Sequence, residues 1–161
     1  MHPRAVRLIE ELGLTSHPEG GYFREIFRSA LTVQPADART QRAALTTIYF
    51  LLPGGTHSRW HRVTSDEVWH LYEGGPLELM VADEQAGRVQ RVILDQVAPN
   101  VGPVFTVPAG YWQAARPLGA YALTGCTVGP GFEFQDFSFL SDQPVLAEVL
   151  RRTDADAATL L

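Results

Sequence analysis

Apolar and polar residues alternate through the middle of the 161-residue chain in the way that is typical of short β-strands. In Leu77–Leu79 apolar and polar residues alternate, which indicates a strand with one buried face. The segment Ala44–Leu52 becomes apolar on both faces, as a strand that is covered on both sides would. Turn residues separate ten predicted strands: Tyr22–Arg28, Ala44–Leu52, His57–Val63, Glu67–Tyr72, Leu77–Asp83, Arg88–Leu94, Val104–Val107, Tyr111–Arg116, Ala120–Val128 and Phe132–Phe139.

Helical spacing occurs only at the two ends of the chain. Apolar residues repeat at that spacing within 5–12, and Gly13 can stop the helix in a left-handed conformation. Near the other end Pro144 suits the first turn of a short helix, on which Glu148 and Arg152 stand four residues apart as an ion pair. Many strands without helices between them predict antiparallel pairing in a sandwich or barrel, formed by one domain over residues 1–161.

Composition narrows the classes of partner. The chain is 45% apolar and 19% charged, its net charge is −5, and no run of like charges suggests a nucleic-acid or membrane partner. Cys126 is its one cysteine, so no disulfide can form within the chain. The N-terminal segment lacks the apolar stretch of a signal peptide, and no run reaches transmembrane length. We therefore expect a cytoplasmic protein.

The most informative polar residues are His61 and Glu67, which bracket a predicted tight turn. Both can point into one cavity from neighbouring strands. An imidazole and a carboxylate aimed at one point can hold a divalent metal or act as an acid–base pair.

The spacing around these residues resembles the two motifs of the cupin superfamily. The first motif runs glycine, five residues, His-x-His, three or four residues, glutamate, six residues and glycine, and it is matched by Gly55, His61, Glu67 and Gly74. The second motif runs glycine, five residues, Pro-x-Gly, two residues and histidine, and it is matched by Gly102, Pro108 and Gly110. The resemblance implies an all-β double-stranded β-helix, the jelly-roll or cupin barrel, with short terminal helices.

Two positions depart from the cupin motifs. Val63 stands where the first motif has its second histidine, and Gln113 stands where the second motif has its histidine. Of the four usual metal ligands only His61 and Glu67 remain, with Gln113 as a weak carbonyl ligand. This set is a poor cage for a transition metal. We expect no cofactor, and any divalent metal at this site to be loosely bound.

A narrower resemblance, to the cupin-5 family, covers nearly the whole chain. It is carried by the segments 17–25, 61–70, 112–115 and 129–137. It implies a small single-domain cupin that forms homodimers and has a polar pocket in each barrel, with a fold similar to that of sugar-nucleotide epimerases and isomerases. The expected ligand is a small polar molecule that is sugar-like or nucleotide-like.

Further residues are candidates for the pocket. Trp69 has the strand parity of Glu67, so it either stacks on a ligand or fills the barrel. Arg59 has the parity of His61 and could reach inward to a phosphate or carboxylate, or lie at the barrel rim. Gln113 is expected to face His61 across the cavity.

The segment that follows Pro18 adds Glu19, Tyr22 and Arg24 as candidate pocket residues, because two glycines allow the backbone to approach a ligand closely. Turn formation alone also explains these glycines. In an enzyme, Tyr22 or Tyr49 would be the acid that works with the pair of His61 and Glu67.

Three functions compete at this stage. The first is an epimerase or isomerase that acts on a carbohydrate-like or nucleotide-like molecule, in which His61 or Glu67 moves a proton. The second is a sensor or storage protein that binds such a ligand without chemistry. The third is an oxygenase or isomerase with a weak metal site, which Val63 and Gln113 disfavour.

Overall fold

A computed structural model describes all residues from 1 to 161, and its regular elements agree closely with the pattern above. Helix α1 covers Pro3–Leu12 and helix α2 covers Pro144–Thr153. The strands are β1 Thr15–Ser16, β2 Tyr22–Arg28, β3 Thr32–Val33, β4 Arg42–Ala43, β5 Thr46–Pro53, β6 Ser58–Val63, β7 Asp66–Gly74, β8 Leu77–Ala82, β9 Val89–Leu94, β10 Val104–Val107, β11 Trp112–Pro117, β12 Tyr121–Gly129 and β13 Phe137–Phe139.

The strands form two facing sheets and one small ribbon. One sheet has the order β1-β2-β5-β12-β7-β10, the other has the order β13-β6-β11-β8-β9, and β3 pairs with β4 alone. The ladders within both sheets are antiparallel. The prediction of an all-β jelly roll with helices at its ends is confirmed.

Both helices form as the sequence predicts. Gly13 ends α1 with a φ of 62°, and its N–H donates to the carbonyl of Glu10. On α2, Arg152 Nε donates to Glu148 Oε1 at 2.8 Å. Neither helix has the length and apolar character needed to cross a membrane.

Apolar side chains fill one half of the space between the sheets. This core includes Trp69, Phe50 and Leu79. A second cluster forms where α2 and the chain end pack on the outside of the five-stranded sheet, around Trp60 and Trp112. Because one half of the barrel is packed, a cavity can open only in the other half.

The structure refines two expectations. The segment Ala44–Leu52 was expected to be covered on both faces, and on its outer face α1 of the same chain covers Leu51. The predicted strand Phe132–Phe139 is a strand only over Phe137–Phe139. Its first half turns away because Asp136 is drawn into a buried ion pair with Arg42, with 2.8 Å between Asp136 Oδ2 and Arg42 Nε.

Candidate functional site

A cavity of about 100 Å³ lies between the two sheets in the half of the barrel that the apolar core leaves open. Its buried floor carries Glu19, His61, Glu67 and Cys126. Its walls and its mouth are made by His17, Phe23, Glu25, Arg28, Thr46, Ile48, Val63, Val128, Phe132, Glu133, Phe134 and Phe137. The residues at the mouth are exposed, among them Phe134 with 56% of its surface accessible.

His61 is held in one tautomer by a backbone carbonyl. Its Nδ1 lies 2.8 Å from the carbonyl oxygen of Arg59. Since a carbonyl only accepts, Nδ1 carries a proton and Nε2 is free to accept or bind a second one. The ring also stacks on Phe137, with 5.2 Å between centroids.

Glu19 is the partner of His61. Its Oε2 lies 3.3 Å from His61 Nε2, and its Oε1 accepts a hydrogen bond of 2.9 Å from Ser58 Oγ. Both side chains are almost completely buried. Because the Nε2 lone pair and a carboxylate oxygen both accept, a hydrogen bond between them needs one proton, carried by either group.

Burial sets the form of this pair. Burial raises the pKa of Glu19 to about 7, and it lowers the pKa of His61. Both shifts favour the uncharged pair, in which the Glu19 carboxylic acid donates to His61 Nε2. Burial also lowers the pKa of the neighbouring His17, whose Nδ1 accepts from the backbone N–H of Glu19 at 3.3 Å.

Glu67 is positioned by a separate chain of hydrogen bonds. Trp69 Nε1 donates to Gln113 Oε1 at 2.8 Å, and Gln113 Nε2 donates to Glu67 Oε2 at 2.5 Å. Burial raises the pKa of Glu67, while the nearby His61 opposes this shift. Glu67 therefore faces the cavity with its orientation fixed and with its charged form disfavoured.

The donor set does not fit a transition metal. An indole N–H only donates, so the Gln113 atom that faces Trp69 is the carbonyl oxygen, and the amide nitrogen faces Glu67. An amide N–H is not a metal ligand, and Val63 offers no donor atom. No group of three or more His, Cys, Asp or Glu side chains is arranged to hold a metal ion. The expectation of Gln113 as a weak metal ligand with His61 and Glu67 is corrected on this geometry.

The structure brings three of the predicted site residues to one cavity, namely Glu19, His61 and Glu67. Gln113 and Trp69 do not line it. Each is about 1% exposed and lies behind Glu67, in contact with the apolar core. Both residues position Glu67, and the expectations that Gln113 binds a ligand and that Trp69 stacks on one are wrong.

Tyr22, Arg24 and Tyr49 lie on the outer face of the six-stranded sheet. Strand side chains alternate, and it is Phe23 and Ile48 that face the cavity. Tyr22 and Tyr49 pack beside the cluster under α1, and Arg24 Nη1 donates to the carbonyl of Leu12 at 2.8 Å. The expectation that these three residues act in the pocket is wrong, because their parity places them outside the barrel.

Arg59 also stays outside the cavity. Its Nη2 donates to the carbonyl of Pro18 at 2.8 Å, and its guanidinium lies 4.1 Å from the centroid of the Phe139 ring. These contacts hold the side chain at the rim, so the expected inward contact with a phosphate or carboxylate is not formed.

Sequence reasoning missed several lining residues. His17 lies in the cavity wall, and Arg28 and the rings of Phe132 and Phe134 lie near the mouth. The two rings lie in the part of the predicted strand Phe132–Phe139 that forms a turn in the structure. Phe23 and Arg28 lie on the same face of β2 because a bulge near residue 26 shifts the alternation of side chains. A prediction from strand parity that included this bulge would have found Arg28.

Comparison with known proteins agrees with this fold and cavity. Residues 6–140 match the model of the family described as Cupin_5, cupin superfamily (DUF985). The chain belongs to this family.

Two solved structures and one curated protein are similar to it. Protein SO0799 from Shewanella oneidensis is 31% identical, with a TM-score of 0.83 over 96% of this chain and 94% of that chain. A hypothetical protein from Leishmania major is also 31% identical, with a TM-score of 0.78 over 92% of this chain and 97% of that chain. The uncharacterized protein YML079W of Saccharomyces cerevisiae is 26% identical, over 89% of this chain and 79% of its own length.

Proposed function

We propose that this cupin binds a small polar organic molecule in the cavity and transfers a proton to or from it, as an isomerase or epimerase does. The observation that carries the proposal is the buried pair of Glu19 and His61, whose Oε2 and Nε2 lie 3.3 Å apart at the cavity floor. Such a pair places a group that can release a proton beside a group that can accept one.

Glu67 supplies the second exchangeable group. It faces the same cavity, and burial raises its pKa. Epimerisation needs one group that removes a proton and another that returns it. The cavity offers Glu67 and the Glu19–His61 pair for these roles, and the hydrogen bond from Gln113 keeps Glu67 in place while the pair acts.

The residues that line the cavity disfavour ligands that contain phosphate, which are part of the ligand class that the sequence suggested. The floor carries two carboxyl groups, and Arg59 is held outside the cavity. A phosphate placed beside Glu19 and Glu67 would meet carboxyl groups where it needs positively charged donors. Among sugar-like and nucleotide-like molecules, the proposal therefore retains those without phosphate.

The experiment is hydrogen exchange in heavy water. Aldoses, ketoses, amino sugars and nucleosides are incubated with the protein in D₂O, and incorporation of deuterium at carbon is followed by NMR. We expect incorporation into at least one compound, with loss of at least about 100-fold in His61→Ala and Glu67→Gln. The matched control is His70→Ala, which removes a histidine from the outer face. Incorporation that persists in both cavity variants would overturn the proposal.

Binding without chemistry is the second candidate. The observation that favours it is the chain from Trp69 through Gln113 to Glu67, which engages Glu67 Oε2 in a structural hydrogen bond. A compound that binds with dependence on His61 and takes up no deuterium would favour this function over the enzyme.

We also propose a homodimer, which rests on a smaller exposed apolar surface than the sequence suggested. Although α1 covers part of the outer face of the six-stranded sheet, Phe27, Tyr72 and Val104 remain more than half exposed there. Apolar surface of this kind is typical of an interface. A second copy of the chain is the partner that the cupin-5 family implies.

A further inference from the structure

We infer that the cavity selects a small organic cation, such as an alkylammonium group, by means of carboxyl groups and phenylalanine rings that surround it. This inference rests on the proposed binding function and adds the chemical class of the ligand. Four glutamates line the cavity from floor to mouth, Glu19, Glu25, Glu67 and Glu133, against one arginine, Arg28. The lining therefore offers four carboxyl groups for one guanidinium, and a cation beside the two buried ones would favour their ionised form.

Arg28 does not offset this charge for a ligand, because the protein already uses its donors. Its Nη2 and Nε donate to the carboxylate of Glu25 at 2.8 and 3.0 Å, and its Nη1 donates to Glu133 Oε1 at 2.8 Å. Nη2 also donates to the carbonyl of Phe132 at 3.2 Å. An incoming anion would have to displace one of these carboxylates from Arg28, whereas Glu19 and Glu67 on the floor are not paired with an arginine.

The walls of the cavity suit a cation that carries carbon atoms. Phe23, Phe132, Phe134 and Phe137 all line it. The rings of Phe132 and Phe134 meet edge to face with 5.1 Å between centroids, and those of Phe132 and Phe137 do so at 6.2 Å. The negative faces of such rings attract ammonium groups and replace part of their hydration.

His17 shows that a nitrogen heterocycle already fits among these rings. Its imidazole meets Phe23 edge to face at 4.5 Å and stacks near Phe134 at 6.2 Å. Its Nδ1 lies 3.5 Å from Glu19 Oε2, so one nitrogen is near the carboxyl while the ring contacts the aromatic walls. A ligand with a cationic nitrogen and an apolar body matches the same combination of contacts.

A metal ion or an inorganic anion fits the cavity less well. The amide nitrogen of Gln113 faces Glu67 and opposes a metal there, and the phenylalanine walls offer a bare ion no ligand atoms. An inorganic anion would contact four carboxyl groups. A cation with methyl or methylene groups uses both the acidic and the aromatic parts of the lining.

Choline and 3,3-dimethylbutan-1-ol form a matched pair of probes for this inference. The two molecules have the same shape, and only choline is charged. We expect calorimetry on the intact protein to show choline binding at least about tenfold more tightly than the alcohol, and to show no binding of inorganic phosphate. Equal affinity for the two probes, or tighter binding of phosphate, would overturn the inference.

Two variants test whether the preference for choline over the alcohol arises in the cavity. Glu67→Gln removes one carboxyl group that could pair with a cation, and Phe134→Leu removes one ring face while keeping an apolar side chain. Each is expected to reduce the ratio of choline affinity to alcohol affinity by at least about threefold. The controls are Glu148→Gln on α2 and Phe27→Leu on the outer face, which should leave the ratio unchanged. A ratio that is unchanged in Phe134→Leu, whose exposed side chain makes misfolding no explanation, counts against the inference.

The outcome is separable from that of the proposed proton transfer. Choline and its analogue require no reaction, so a choline preference can be found where no compound takes up deuterium. Conversely, deuterium uptake by an uncharged sugar, combined with equal affinity for the two probes, would retain proton transfer and reject the cation.

Discussion

Trp69 donates its indole N–H to the carbonyl oxygen of Gln113 at 2.8 Å, and this contact decides that the amide nitrogen of Gln113 points at Glu67. The residue that replaces the usual cupin histidine is thus a link between the apolar core and a carboxyl group of the cavity. Its role is to hold Glu67, which then faces the cavity in a fixed orientation.

The first prediction concerns this link. Gln113→Met keeps the size of the side chain but leaves the Trp69 N–H and Glu67 Oε2 without their partner. Since each unsatisfied buried group costs about 1–3 kcal/mol, we expect a loss of about 2–4 kcal/mol in the free energy of unfolding, measured in urea. In the double variant with Trp69→Phe the loss should be smaller than the sum of the single losses. Additive losses would show that the two residues do not interact.

The second prediction is a pH dependence of stability that comes from Glu19. Its pKa rises from 4.5 to about 7 on burial, so the folded state binds this proton more tightly than the unfolded state does. This contribution is fully present below about pH 4.5 and is lost as the pH rises through about 7.

Glu19→Gln tests it, because the amide can donate to His61 Nε2 as the carboxylic acid does. Relative to this variant, the wild type should lose about 3 kcal/mol of stability between pH 4.5 and 7, as measured by urea unfolding across that range. A constant difference between the two proteins would contradict the raised pKa of Glu19.

The third prediction concerns Gly20, in the turn that carries Glu19. Gly20 has a φ of 114°, and a Cβ there would lie 2.3 Å from the carbonyl oxygen of His57. Gly55 also has a positive φ, of 79°, but a Cβ there meets nothing within 4 Å. We expect Gly55→Ala to cost about 1 kcal/mol from backbone strain, and Gly20→Ala to cost at least about 3 kcal/mol, since it adds a clash with backbone. Equal costs, measured by chemical denaturation, would contradict the close approach.

The fourth prediction is that the protein is a homodimer through the outer face of the six-stranded sheet. Light scattering at micromolar concentration should give twice the chain mass of 17.8 kDa. Val104→Glu places a charge on that face and should shift the mass toward the monomer. The matched control is Val145→Glu on α2, where the valine is 76% exposed. A monomeric wild type would overturn the prediction.

The fifth prediction concerns metal. Purified protein should hold well under one equivalent of transition metal by elemental analysis, and treatment with EDTA should leave the melting temperature unchanged. The reason is that Gln113 turns its N–H toward Glu67 and that Val63 has no ligand atom. Stoichiometric metal that disappears in His61→Ala would contradict it.

Much of the fold could be read from the sequence because strand alternation and turn residues are local signals. The spacing of His61 and Glu67 also placed both residues on inward faces. The sequence could not predict which residues lie behind the cavity lining and contact it from the core. The parity of Trp69 is inward, but whether an inward residue meets a ligand or the core depends on which half of the barrel the core fills.

The same limit explains the errors on β2 and β5. Tyr22 and Tyr49 were assigned to the cavity by chemistry alone, although Phe23 and Ile48 have the inward parity. Glu19 lies in a turn where no periodicity applies. Its partnership with His61 depends on Gly20 passing against the carbonyl of His57, which is a contact between segments distant in sequence.

The packed half of the barrel has a kinetic consequence. Because Trp69, Phe50 and Leu79 close that end, a ligand of the proposed kind would enter and leave through the mouth beside Phe134 and Arg28. If the proposed reaction takes place, its product would have to depart before the next substrate molecule arrives. The residence time would then depend on how readily the Phe134 ring and the ion pair of Arg28 with Glu133 move aside.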